Sequence, residues 1–194
     1  MKKLYSLFIM IILLLPVMAQ NNEDEFGTLF GDADIRISGF GGPMMNFSSI
    51  NNQFAHMMGG GGGVIINDFF IGGFGLGNTN NITANNMDYN LELGYGGIWT
   101  GYTFYGRRAI HPVFYTLIGW GSITENTPDN NPLIEDDIFL VTPAVEVEFN
   151  ITRYFRIGVS GNYRIVFGTG LPRYTNNEFS SPAALLSFKF GWFD

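Results

Sequence analysis

From about residue 33 to the end of the chain, apolar and polar positions alternate with a period of two, which is the signature of strands. Four segments carry it plainly. In "MDYNLELGYGG", Tyr89, Leu91, Leu93 and Tyr95 share one face, and Asn90, Glu92, Gly94 and Gly96 the other. In "DIFLVTPAVEVEF", Phe139, Val141, Val145, Val147 and Phe149 oppose Glu146 and Glu148. In "YFRIGVSGNYRIVF", Phe155, Ile157, Val159, Tyr163, Ile165 and Phe167 oppose Arg156, Ser160, Asn162 and Arg164. In "LLSFKFGWF", Leu186, Phe188, Phe190 and Trp192 oppose Ser187, Lys189 and Gly191. Weaker alternation marks strands near 33–47, 54–66, 69–78 and 110–122. The total is eight. Residues 97–106 extend the fourth strand, and their length leaves a count of ten open. A helical period is almost absent.

The connections alternate in kind. "NFSSINNQ", "NTNNITANN", "TENTPDNNPLIED" and "GTGLPRYTNNEFSSP" are long and polar, whereas "IND", "YGRRA" and "NITR" are short. Alternating short and long connections predict an all-β, up-and-down antiparallel transmembrane β-barrel, with tight periplasmic turns and longer loops outside.

The N-terminus carries a different signal. Lys2 and Lys3 precede a largely apolar run from Leu4 to Val17, then "VMAQ" with Val17 and Ala19 at the −3 and −1 positions. This reads as a signal peptide over 1–19, cleaved between Ala19 and Gln20. An acidic tail, 20–31, follows, and the barrel occupies 32–194. Loss of Lys2 and Lys3 takes the formal charge from −7 to −9, which argues against nucleic acid as a partner. Export without any cysteine leaves packing and hydrogen bonds to hold the fold. The chain has 26 Gly, 19 Phe, 9 Tyr and 3 Trp but only 14% charged residues, whereas a soluble surface carries about 25–35%.

Alternation does not say which face is inside; charge does. The strand interiors hold Arg36, Glu92, Glu146, Glu148, Arg156, Arg164 and Lys189. These are too few to cover a soluble barrel and nearly cancel, as a desolvated lumen requires. An arginine at the lipid midplane would cost about 2–4 kcal/mol. All seven are therefore expected to point inward, with Arg156 opposite Glu146 or Glu148, as a salt-bridged plug. Tyr89, Trp99, Tyr102, Tyr105, Trp120, Tyr154 and Trp192 are expected to form interfacial girdles.

On this pattern, over 32–194, the chain resembles the small eight-stranded bacterial outer-membrane β-barrel proteins of OmpA/OmpX-type architecture. The most local element is the end, "LLSFKFGWFD". Such proteins tend to finish on an amphipathic strand with a terminal aromatic that the barrel-assembly machinery reads. Here Phe193 is penultimate and out of phase with Phe188, Phe190 and Trp192. The resemblance implies the outer membrane as location, with its lipids and that machinery as partners.

Motifs for other chemistry are weak. The run "HMMGGGGGVIIND" invites a phosphate-loop reading, but Val64–Ile66 continues as strand instead of opening a helix. The five glycines are expected to leave room for Phe40, Phe70 and Phe74. Two histidines, His56 and His111, are too few for a metal site, and no cofactor is implied. The expected function is non-enzymatic: structural, adhesive or narrow-pore. The alternatives are a lipid-modifying enzyme using His56 with Ser48 or Ser49, and, less favoured, a soluble exported ligand-binding barrel.

Overall fold

In the computed structural model of the chain, Asn51 and Asn52 adopt φ of 48° and 58°. This is the left-handed pair that a type I′ hairpin turn requires, and asparagine tolerates it well. The two residues join β1 (Ile37–Ile50) to β2 (Gln53–Ile66). The long connection expected between these strands is therefore a two-residue turn. The structure describes residues 35–83, 89–127, 129, 131–170 and 174–193. The signal peptide, its Ala19–Gln20 junction and the tail 20–31 lie outside them.

The remaining elements are β3 (Phe69–Asn78), a two-residue β4 (Ile82–Thr83), β5 (Asn90–Thr103), β6 (Ile110–Asn126), β7 (Pro132–Thr152), β8 (Phe155–Phe167), α1 (Asn176–Phe179) and β9 (Ser181–Gly191). Each long strand pairs antiparallel with its sequence neighbours. β3 pairs with β5, and β9 returns to β1, so eight strands close into a barrel with no free edge. β4 pairs only with the top of β5.

The turns at 67–68, 104–109 and 153–154 lie at one end with the start of β1 and the end of β9; we call this the turn end. The opposite, loop end carries the connections after β1, β3, β6 and β8. There β6 and β7 run on past the barrel as a hairpin, pairing Thr124 with Glu135 and Glu125 with Ile134. This stretch was expected to be loop. Its adjacent Leu133 and Ile134 fall on opposite faces among Thr124, Glu125, Glu135 and Asp136, so it carries no alternation to betray a strand.

The outer wall is apolar: Phe54, Phe69, Ile71, Phe114, Val145, Val159 and Phe190 are all exposed. Glu146, Glu148, Arg156, Ser160, Arg164, Ser187 and Lys189 are buried inside. On β5 the order inverts. Leu91, Leu93 and Tyr95 fill the lumen and Glu92 is exposed on the outer face. Glu92 lies near the loop end of β5, where the outer face no longer needs to be apolar.

Two of the expected girdle residues are placed elsewhere. Trp99 is buried in the lumen and Tyr89 is half-buried against the core. Tyr102, Tyr105, Trp120, Tyr154 and Trp192 are exposed.

The glycine run belongs to β2. Gly59, Gly61 and Gly63 sit opposite Met44, Gly42 and Phe40, and since Met44 and Phe40 are buried these glycines share the inner face. A Cβ on Gly61 would lie 3.1 Å from Trp99 and 3.2 Å from Phe74. The bare backbone is what lets large rings from neighbouring strands cross the lumen. Of the residues expected to cover the run, Phe74 meets Gly61 directly, while Phe40 and Phe70 pack edge-on against Trp99.

Candidate functional site

The lumen is filled by two opposed sets of side chains. The β6–β9 wall supplies the charges. Register fixes their arrangement: Arg156 on β8 is paired with Asn150 on β7 and with Lys189 on β9. Arg156 was expected directly opposite a glutamate. The hairpin turns only at Arg153–Tyr154, and a bulge between Asn150 and Thr152 keeps Arg156 on the inward parity, across from Asn150; its Nη1 reaches diagonally to Glu148 Oε1 at 2.8 Å.

Glu148 is the hub. Its second oxygen accepts from Lys189 Nζ, and Oε1 also lies 3.1 Å from His111 Nε2. Lys189 also donates to Glu146, whose other oxygen accepts from Ser187 Oγ at 3.2 Å. Charges therefore alternate in space along Arg156, Glu148, Lys189 and Glu146. Two cations and two carboxylates, each side chain at most 8% exposed, balance one another, which is the condition for keeping them buried.

Gly158 makes room for this network. A Cβ there would overlap the Glu146 carboxylate and the Ser187 hydroxyl.

The β1–β5 wall supplies rings. The Lys189 ammonium lies 5.2 Å from the Trp99 ring centre, 5.7 Å from Phe40 and 5.8 Å from Phe70. These rings meet one another edge-on at 5.1–5.6 Å. A cation over aromatic faces is stabilised by about 0.5–2 kcal/mol, more when desolvated. Charges from one wall and rings from the other thus meet at Lys189. Tyr115 closes the remaining space, 5.8 Å from Trp99 with its hydroxyl 2.7 Å from Ser160 Oγ.

Arg164 is buried at the loop end, apart from this network. It donates from Nε to the Phe179 carbonyl at 2.8 Å, from Nη2 to the Ser49 carbonyl at 2.8 Å, and from Nη1 to Ser48 Oγ at 3.2 Å. It thereby ties α1 to the β1–β2 turn. The fully buried Phe179 caps the barrel, packed 5.6 Å from Tyr174.

Of the seven charged residues expected in the lumen, the structure brings together Glu146, Glu148, Arg156 and Lys189 and buries Arg164 separately. Arg36 and Glu92 are exposed, so for these two the expectation is corrected. Arg36 precedes β1, and Glu92 shares the outward parity of its strand.

His111 is the residue that the sequence reading left out. It shares parity with Val113, Tyr115 and Leu117, all of which are buried, and it sits directly opposite Glu148. That parity was the available signal. His56 faces outward, its ring tilted against Phe47 at 5.0 Å and its Nδ1 2.7 Å from Thr79 Oγ1. Ser48 faces inward on Arg164, so the barrel wall separates it from His56.

No family model and no curated protein matches the chain. Solved structures do. Neisserial surface protein A superposes with a TM-score of 0.54 at 10% identity, over 84% of this chain and 100% of that one. The N-terminal β-barrel domain of Pseudomonas aeruginosa OprF gives 0.54 at 13%, over 82% and 100%. Ail, the attachment invasion locus protein of Yersinia pestis, solved with the heparin analogue sucrose octasulfate, gives 0.51 at 12%, over 82% and 100%. At these identities the likeness speaks for architecture alone, and that architecture is the small eight-stranded outer-membrane β-barrel.

Proposed function

We propose that this chain is a non-enzymatic, non-conducting integral protein of the bacterial outer membrane, with its turns toward the periplasm and its loops outside. Its role is structural or adhesive, exercised through the loop end. The exposed apolar wall is suited to lipid, and both ends of the barrel chain emerge with the short turns, as in outer-membrane barrels. The amphipathic β9 is the segment that the assembly machinery would engage.

The observation that carries this reading is the occluded lumen. Lys189 is enclosed by two carboxylates and three aromatic rings, and Phe179 covers the other end. Eight strands leave an interior just wide enough for such side chains. A narrow-pore role is thereby disfavoured.

The loop end is acidic. Glu92, Asp129, Glu135 and Asp137 are exposed there. A neutral or cationic partner fits that surface. The polyanion bound by Ail is not carried over to this chain.

The test is a pair of measurements on the mature protein. Carbonate washing should leave it in the membrane fraction, and planar bilayers containing it should show no steady conductance. Release by carbonate would remove the membrane reading. Sustained channel steps would remove the plug.

A further inference from the structure

The turn end gathers cations that the lumen network does not use. Arg107 in the β5–β6 connection and Arg153 in the β7–β8 turn are exposed. Together with the buried Arg156 they line a cavity of about 420 Å³, completed by Asn150, Thr152 and Phe193. The two connections are locked to each other: Asn150 Nδ2 donates to the carbonyls of Gly106 at 2.8 Å and Arg108 at 2.7 Å, and the Asn150 amide donates to Ala109 at 2.8 Å. The cavity is built, not an accident of two mobile side chains.

Arg156 is 6% exposed. Glu148 takes its Nη1, and Nη2 reaches the Gly106 and Phe193 carbonyls only at 3.5 Å. Its Nε is buried with no hydrogen-bond partner among the described residues. The Phe193 ring lies 3.9 Å from the guanidinium carbon, which covers a face and leaves the N–H edges in plane. A buried guanidinium donor left without a partner is costly. The long Nη2 contacts leave that edge able to donate to a phosphate oxygen, and guanidinium forks suit phosphate geometry.

We infer that this cavity is a phosphate-binding site that takes a phosphate ester, with Arg156 Nη2, Arg107 and Arg153 on the phosphate. In the orientation proposed above, the site lies at the periplasmic end of the barrel, and the phosphate of an anionic glycerophospholipid would present this chemistry. A free phosphate ester offers the same contacts. The lipid source rests on that orientation, whereas recognition of phosphate does not.

The experiment uses the folded full chain in zwitterionic detergent. Phosphatidylglycerol is added at limiting concentration against phosphatidylcholine, and retained lipid is counted by native mass spectrometry. A second arm replaces lipid with glycerol 3-phosphate or inorganic phosphate and reads binding by phosphorus NMR line broadening. The double variant Arg107→Gln/Arg153→Gln should lose about tenfold in phosphatidylglycerol retention, the size of one strong contact. Arg108→Gln is the control; its side chain lies over Tyr105, 4.7 Å from the ring centre, and retention should be unchanged. Lipid retention with silent soluble arms assigns a lipid site, and binding in the soluble arms assigns a free phosphate site. Equal loss in Arg108→Gln would show surface charge alone and overturn the site, as would a failure of every phosphate probe to bind. Because the assay is run in detergent, a wrong membrane orientation would leave its outcome unchanged.

Discussion

Arg156 and Lys189 are direct register partners on β8 and β9, two buried cations side by side, and Glu148 from β7 bonds both. Like charges directly opposed destabilise a sheet. The shared carboxylate turns that pair into a network.

Glu148 should therefore be the most sensitive charge in the barrel. Glu148→Gln leaves two buried cations short of countercharge and should cost about 3–5 kcal/mol. Glu146→Gln should cost less, because among the described residues Glu146 bonds one cation, Lys189, and the Ser187 hydroxyl. Urea unfolding in lipid vesicles measures both. Equal losses would show that Glu148 is not the hub.

Glycine positions separate by what lies over them. Gly158→Ala drives a methyl into the Glu146 carboxylate and should destabilise by about 1–3 kcal/mol, the range for overpacking. A Cβ on Gly161, on the same strand, meets nothing within 4 Å, so Gly161→Ala should be near neutral. The contrast extends to the glycine-rich wall. Gly61→Val should impair assembly, read as loss of heat-modifiable gel migration. Gly75→Val, in open space, should migrate as wild type.

Arg164→Ala cuts the tie between α1 and the β1–β2 turn. Limited proteolysis should then cleave within 168–180 much faster than in the wild type. The turn-end network still blocks the lumen, so bilayer conductance should stay absent. Opening of a channel by this substitution alone would mean that the cap, and not the lumen, is the seal.

The acidic loop end should repel sulfated polysaccharide. Binding to immobilised heparin at low salt should not exceed background, and it should not rise when salt is lowered further, because weaker screening strengthens the repulsion. Retention that grows at low salt would point to a basic surface in the loops.

Much of the architecture was legible in the chain. Strand existence, the alternation of connections and the inward set of β7, β8 and β9 all follow from a period of two in segments where one face is apolar and the other holds Glu146, Glu148, Arg156 and Lys189. A one-residue slip there would put buried charges in lipid, so parity is strongly enforced. The signal failed where the constraint weakens. On β5 the parity that carries Glu92 reads as the inward one, yet Leu91, Tyr95 and Trp99 fill the lumen, and Glu92, near the loop end, stays outside. Above the barrel, β6 and β7 mix polar residues with Leu133 and Ile134 on both faces and read as loop.

That strands form, roughly where, and that a small balanced set of charges must hide from lipid are written in the chain, because alternation and desolvation are local to a segment. Which charges meet depends on how distant strands pair. The turn at Arg153–Tyr154, with the bulge at Asn150–Thr152, puts Arg156 across from Asn150 and not from a glutamate, and His111 arrives opposite Glu148 through a hairpin pairing 37 residues apart. Closure also brings rings from β1, β3 and β5 onto Lys189 of β9. Those contacts depend on register and barrel closure, which are set by pairing between strands far apart in sequence.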